Sequence, residues 1–165
     1  MVGSGAHRAD SEDLLPTPDA PLRGMDDLLA LFHEAEKPPE QWRVGTEAER
    51  IAVRATDGAL LPYDGRVSVV AIFDRLVREH GWEPKRERPD GPIIALRRGD
   101  GSVTLEPGSQ IELSGAPFRS VYDGRAESDA HWADLAPVIE ELGLVWLALG
   151  SHPFGTVEDL SLIHI

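Results

Sequence analysis

Two short turn signals, Pro89-Asp90-Gly91-Pro92 and Gly99-Asp100-Gly101, constrain this chain more than any other feature. The first joins the extended runs Trp82 to Arg88 and Ile93 to Arg98, and the second leads into a third run, Ser102 to Ser114. A connection this short reverses a strand, whereas a parallel return takes a dozen residues or more. Antiparallel pairing is therefore favoured. Helical periodicity between and around the strands makes the expected class α+β, an antiparallel sheet with packed helices.

Three segments carry the helical pattern. Leu28, Leu29, Leu31, Phe32 and Ala35 recur at helical spacing, and Pro38-Pro39 closes that run. After the turn signal Asp64-Gly65, Val69, Val70, Ile72, Phe73, Leu76 and Val77 line one face, and Gly81 stands where a C-terminal glycine cap belongs. Phe118 to Leu142 reads as a third helix, with Gly124 and Pro137 expected to interrupt or kink it. Gln41 to Ala55 reads as extended up to the turn Asp57-Gly58, and Leu144 to Leu149 as an apolar strand. Residues 1–23, rich in Gly, Pro, Ser and Asp, are expected to be a disordered leader; residues 24–165 form the domain, which reads as truncated after its last strand.

Charge and composition narrow the function. A formal net charge of -13 argues against a nucleic-acid surface. No stretch approaches the roughly 20 apolar residues of a membrane helix. With no cysteine, a disulfide framework, a thiolate nucleophile and a Cys-ligated zinc site are all excluded. The expected location is cytoplasmic. His33, His80 and His131 have no second ligand at metal spacing, and no P-loop or dinucleotide fingerprint is present.

The chemistry concentrates in two extended segments. In Gly45-Thr46-Glu47-Ala48-Glu49-Arg50, alternation puts Glu47 and Glu49 on one face with Ile51 and Val53, directed to the interior or a cleft lip. In Val103 to Leu113, an extended chain puts Glu106, Gly108, Gln110 and Glu112 on one face and Val103, Leu105, Ile111 and Leu113 on the other. Pro107-Gly108 suggests an edge or bulge where a ligand approaches the backbone. If the two strands are neighbours, four carboxylates converge, and like charges on one face need a cation or a base. Hard ions such as Mg²⁺ take such oxygen ligands and bridge them to phosphates. The alternative is a solvated face balanced by bases such as Arg43 or Arg50.

Val44 to Arg50 (VGTEAER) and Val103 to Pro117 (VTLEPGSQIELSGAP) resemble the plant-like glutamate–cysteine ligases, and the similarity extends over about Met25 to Asp159. The resemblance implies a fold related to glutamine synthetase and guanidino kinases, whose antiparallel sheet forms a floor for metal ions and ATP. It implies an ATP-dependent ligase: MgATP phosphorylates the glutamate γ-carboxylate and the cysteine amine attacks the acyl phosphate, giving γ-glutamylcysteine, the first step of glutathione biosynthesis. Glu47, Glu49, Glu106 and Glu112 would be the Mg²⁺ ligands, with Gly108 and Gln110 lining the substrate and ATP site. The implied partners are glutamate, cysteine and ATP. No residue of this stretch is assigned as acid, base or nucleophile, and the bases that hold ATP phosphates are expected beyond it, so these residues alone are not expected to catalyse the reaction. Ala48 and Arg50 stand where the family usually has His and Lys, and Ser109 where it has Gly. A sister ligase using another amine, such as one of the ergothioneine pathway, and a non-catalytic MgATP-binding relative are the alternatives, with a plain interaction domain as a third.

Overall fold

A computed structural model describes residues 21–156, which fall into two compact units divided after Trp42. Most of the expected leader and the run after Thr156 lie outside the described residues.

Within the first unit, helix α1 (Met25–Ala35) forms where the periodicity placed it, and Trp42 donates its indole N–H to the Lys37 carbonyl at 2.7 Å. Its apolar residues are not buried: Phe32 is 71% exposed.

The second unit is built on six antiparallel strands: β1 (Glu47–Arg54), β2 (Glu83–Arg86), β3 (Ile93–Arg98), β4 (Gly101–Glu106), β5 (Gln110–Ser114) and β6 (Leu144–Leu147). They lie in the order β2-β3-β4-β5-β1-β6. The expected α+β class and antiparallel sheet are what the chain adopts. Helices α2 (Val69–His80) and α3 (Val121–Glu141) pack against each other, α2 on β2 and β3 and α3 on β6. Ala52, Leu96, Val103, Ile111 and Leu113 join Phe73, Leu76, Leu135 and Val138 in one buried core. The helices therefore cover one face of the sheet.

Helix α2 is closed at both ends by its own sequence. The Ser68 hydroxyl accepts the Ala71 N–H at 3.0 Å and donates to the Gly65 carbonyl at 2.8 Å, satisfying one of the orphan donors of the first turn. Gly81 takes φ +70°, and the Trp82 N–H returns to the Leu76 carbonyl at 3.3 Å, the long-reach bond of a glycine-terminated helix.

Three expectations are corrected. The run Ser102 to Ser114 is not one strand: Pro107–Ser109 forms a tight 3-10 turn that folds β4 back onto β5. Gly108 and Ser109 there adopt φ +74° and φ +61°, outside any strand conformation, so Gly108 sits buried in the turn and not on a strand face. Helix α3 runs without interruption through Gly124 and Pro137. Gly124 lies in the first turn, where a Cβ would come within 2.9 Å of the Thr46 hydroxyl. Pro137 forfeits one backbone bond, and burial of Leu135, Val138 and Ile139 around it offsets that loss. Finally, Glu47 and Glu49 are exposed, while Ile51 and Val53 further along the same face are buried. The face of β1 is open at its start and closes where Leu60 bridges to Val53.

Candidate functional site

Register decides which side chains meet. Strand β1 pairs with β5 so that Glu49 lies directly across from Glu112, Glu47 from Ser114 and Ile51 from Gln110. On its other side β5 pairs with β4, placing Thr104 across from Glu112 and Glu106 across from Gln110. Side chains opposite one another in a ladder share a face. Ile111 and Leu113 point into the helix-side core, so Glu49, Glu106, Gln110 and Glu112 occupy the other face, with Glu47 at its margin. Adjacency of the two carboxylate strands, assumed from the sequence, is thus present. Because the tight turn spans three residues, Glu106 and Gln110 become cross-strand partners, and the shared face survives although the strand does not continue.

The two sequence segments are also joined through the backbone. Gly115 donates to the Thr46 carbonyl at 2.6 Å, and Val44 and Phe118 exchange N–H···O bonds of 2.8 and 2.9 Å. From helix α3 the Glu127 carboxylate accepts the Ala116 N–H, 3.1 Å from each oxygen. It reaches that position because Gly101 and Gly115 have no side chain in its way.

The electrostatics of the open face are those of crowded acids. Burial pushes the Glu106 carboxyl above its ordinary value, and hydrogen bonding to Glu112 with the negative charges of Glu112 and Glu49 pushes it further the same way. Thr104 and Ser114 place their hydroxyls 3.4 and 3.3 Å from the two oxygens of Glu112. Strand alternation alone would have put both on this face, but only the register shows them flanking Glu112. Gln110 donates its amide N–H to the Pro107 carbonyl at 3.2 Å, and its Oε1 is buried with no partner.

No ion pair neutralises these carboxylates among the described residues. Arg50, one of the bases expected to balance them on the alternative reading, lies on the opposite face: its guanidinium stacks 4.8 Å from the Trp132 ring and donates to the Glu49 backbone carbonyl at 2.8 Å. As the side chains stand, no group of three or more acids or imidazoles among the described residues is close enough to hold a metal ion. Beside Glu106 and Thr104 a cleft of about 620 Å³ opens, with Tyr63, Lys85 and Arg88 on its wall. Lys85 and Arg88 went unnoticed in the sequence because nothing local tied β2 and its turn to Glu106.

Comparison with known proteins gives a consistent picture. Residues 43–163 match the family model described as glutamate-cysteine ligase family 2. The chain is 33% identical over 135 residues to a chloroplastic glutamate–cysteine ligase of Brassica juncea, covering 82% of this chain and 25% of that protein. It is 32% identical over 138 residues to glutamate–cysteine ligase B, chloroplastic, of Oryza sativa subsp. japonica, covering 84% and 27%. To the chloroplastic glutamate–cysteine ligase of Solanum lycopersicum it is 30% identical over 169 residues, covering 98% and 31%. The chain spans about a quarter to a third of the length of these curated relatives.

Proposed function

The chain belongs to glutamate–cysteine ligase family 2, and from that premise we propose that it supplies the carboxylate wall of an ATP-dependent ligase joining glutamate to the amine of cysteine. The product would be γ-glutamylcysteine, formed through a γ-glutamyl phosphate on the route to glutathione. The observation that carries this reading is the register of β1, β5 and β4, which gathers Glu49, Glu112 and Glu106 on the sheet face that the helices leave free.

The donor set suits a hard divalent cation. Carboxylates are the ligands such an ion takes, and these share one sheet face with no base between them, although as the side chains stand they would have to draw together to close on one ion. Glu49, Glu106 and Glu112, with Glu47 beside them, would hold Mg²⁺. A bound Mg²⁺ supplies neutralisation of charge on phosphoryl oxygens during transfer.

The chain's own groups then have separate tasks. Thr104 and Ser114 orient the Glu112 carboxylate by donating to its two oxygens. Gln110 presents an acceptor oxygen next to Glu106. Lys85 and Arg88, on the wall of the cleft beside Glu106, bring positive charge to where anionic substrate groups enter. Work of this kind is positioning and charge compensation, the main burden in phosphoryl transfer. A cytoplasmic location belongs to the same proposal; the names of the plant relatives place those proteins in chloroplasts.

The test is ADP release by the complete gene product with MgATP and glutamate, with and without cysteine. Turnover that requires both amino acids is the expected result. Turnover with another amine in place of cysteine would reassign the acceptor. A folded protein that binds MgATP but shows no turnover with any amine would leave a non-catalytic relative.

A further inference from the structure

The reverse side of the same sheet holds a second cavity that the ligase reading does not use. A cleft of about 510 Å³ lies between the later turns of α3 and strands β1 and β6. Leu135 and Ile139 form an aliphatic wall, and the rings of Trp132 and Trp146 close it, edge to face with centroids 6.1 Å apart. Its size and apolar lining are those of small-molecule pockets, in which a few polar groups fix orientation.

Those polar groups are specific here. The indole N–H of Trp146 is buried without a partner and shows no surface to the cleft, so the donor offered to a ligand is Arg50. The Arg50 guanidinium lines the cleft, and of its five N–H donors one hydrogen bond is used, on the Glu49 carbonyl at 2.8 Å. Arg50 makes no ion pair among the described residues. Its stacking over Trp132 at 4.8 Å holds the charge against the aromatic wall, fixing the fork that an anion would meet. Glu140, exposed at the rim, disfavours a second negative charge.

We propose that this cleft is a binding site for an aromatic monoanion, a planar apolar body lying between the tryptophan rings and the aliphatic wall whose carboxylate or sulfonate pairs with Arg50. The charge complementarity selects the ligand: the aromatic walls favour a flat ring, and the single unpaired cation favours one negative charge. The site stands on the opposite sheet face from Glu49 and Glu112, so it does not depend on the ligase reading.

The experiment is calorimetric titration of the 165-residue chain with 2-naphthoate and with its neutral counterpart 2-naphthylmethanol, alongside ¹H–¹⁵N spectra of the tryptophan side chains. The expected result is saturable one-to-one binding of 2-naphthoate, at least tenfold tighter than the alcohol, with shifts at the indole N–H signals of Trp132 and Trp146. Arg50→Gln should abolish the preference for the acid while the alcohol binds as before. Equal affinity for the two probes, an unchanged preference in Arg50→Gln, or no saturable binding overturns the proposal. So does concentration-dependent self-association that perturbs the same two indoles, because it would assign the cleft to a second copy of the chain. The wild-type spectra locate the binding directly, so the conclusion does not hang on whether a variant folds.

Discussion

Glu49 and Glu112 face each other across the β1–β5 ladder, a like-charged pair at directly opposed positions with no base between them among the described residues. Opposed like charges destabilise a strand pair by about 0.2–1 kcal/mol. In the absence of divalent metal, Glu112→Gln should therefore raise stability by about 0.5 kcal/mol. In millimolar MgCl₂ the sign should reverse, because the variant loses ligand-linked stabilisation. Urea unfolding with EDTA and with MgCl₂ checks this, and equal behaviour in both buffers would remove the cation from the site.

Acid should affect two groups in opposite senses. His131 is buried between Trp82 and Trp132 with its Nδ1 unpaired, and burial, then the Arg98 charge, lowers its pKa to about 4. A histidine with a depressed folded-state pKa binds fewer protons when folded, so its stability is fully present above about pH 6.5 and is lost as pH falls toward 4. The loss amounts to about 3 kcal/mol. The raised Glu106 pKa acts the other way: its folded state takes the proton more readily, which relieves strain as pH falls toward the ordinary carboxylate value. Unfolding free energy measured from pH 7 to pH 5, above the range where Glu79 and Glu141 begin to lose their pairing with Arg75, should fall in the wild type, and His131→Phe should flatten that fall.

A side chain at Gly115 is predicted to displace Glu127 and crowd the Thr46 backbone. A Cβ there would collide with Glu127 Oε2 and stand 3.1 Å from the Thr46 carbonyl oxygen, part of the backbone link between β1 and β5. Gly115→Ala should cost about 2–3 kcal/mol. Shortening the obstructing acid should return part of that cost, so the double variant Gly115→Ala with Glu127→Ala should be less destabilised than the two single losses added. A double-mutant cycle in urea gives the coupling, and strict additivity would remove the steric account.

Ser109 is the single non-glycine residue with positive φ among the described residues, at +61°. A left-handed conformation costs an L-residue about 1–2 kcal/mol, offset in part by the greater freedom glycine has when unfolded. Ser109→Gly should stabilise the chain by about 0.5–1 kcal/mol. Thermal unfolding tests it; a lower midpoint would mean that the hydroxyl makes up for the strain.

What could be read without coordinates was what local chemistry determines. Helix α2 was legible because an uninterrupted apolar face ends at Gly81, and β3 and β4 because Gly99-Asp100 leaves no alternative to reversal. The face shared by Glu106, Gln110 and Glu112 was legible for a reason the sequence did not disclose. Alternation yields the same parity whether the chain runs straight through Pro107-Gly108-Ser109 or turns there, so the face came out right and the path wrong. Long-range placement was not legible. Nothing near Arg50 says that it stacks on Trp132, and nothing in the periodicity of α3 says that packing around Pro137 will outweigh a missing hydrogen bond. The exposed apolar side of α1 shows the same limit, since periodicity indicates a helix and not what covers it.

The three-residue turn at Pro107–Ser109 also bears on the order in which the chain acquires its form. A hairpin closed by so short a loop forms on the microsecond scale and pays little entropy for closure, whereas β1 must search across a far longer loop to find β5. Glu106 and Glu112 are therefore set relative to each other early, by chain-local events. Glu47 and Glu49 join them only when the longer-range β1–β5 pairing forms. Half of the acidic face is then a record of fast local closure, and the other half reports whether two segments far apart in the chain have met.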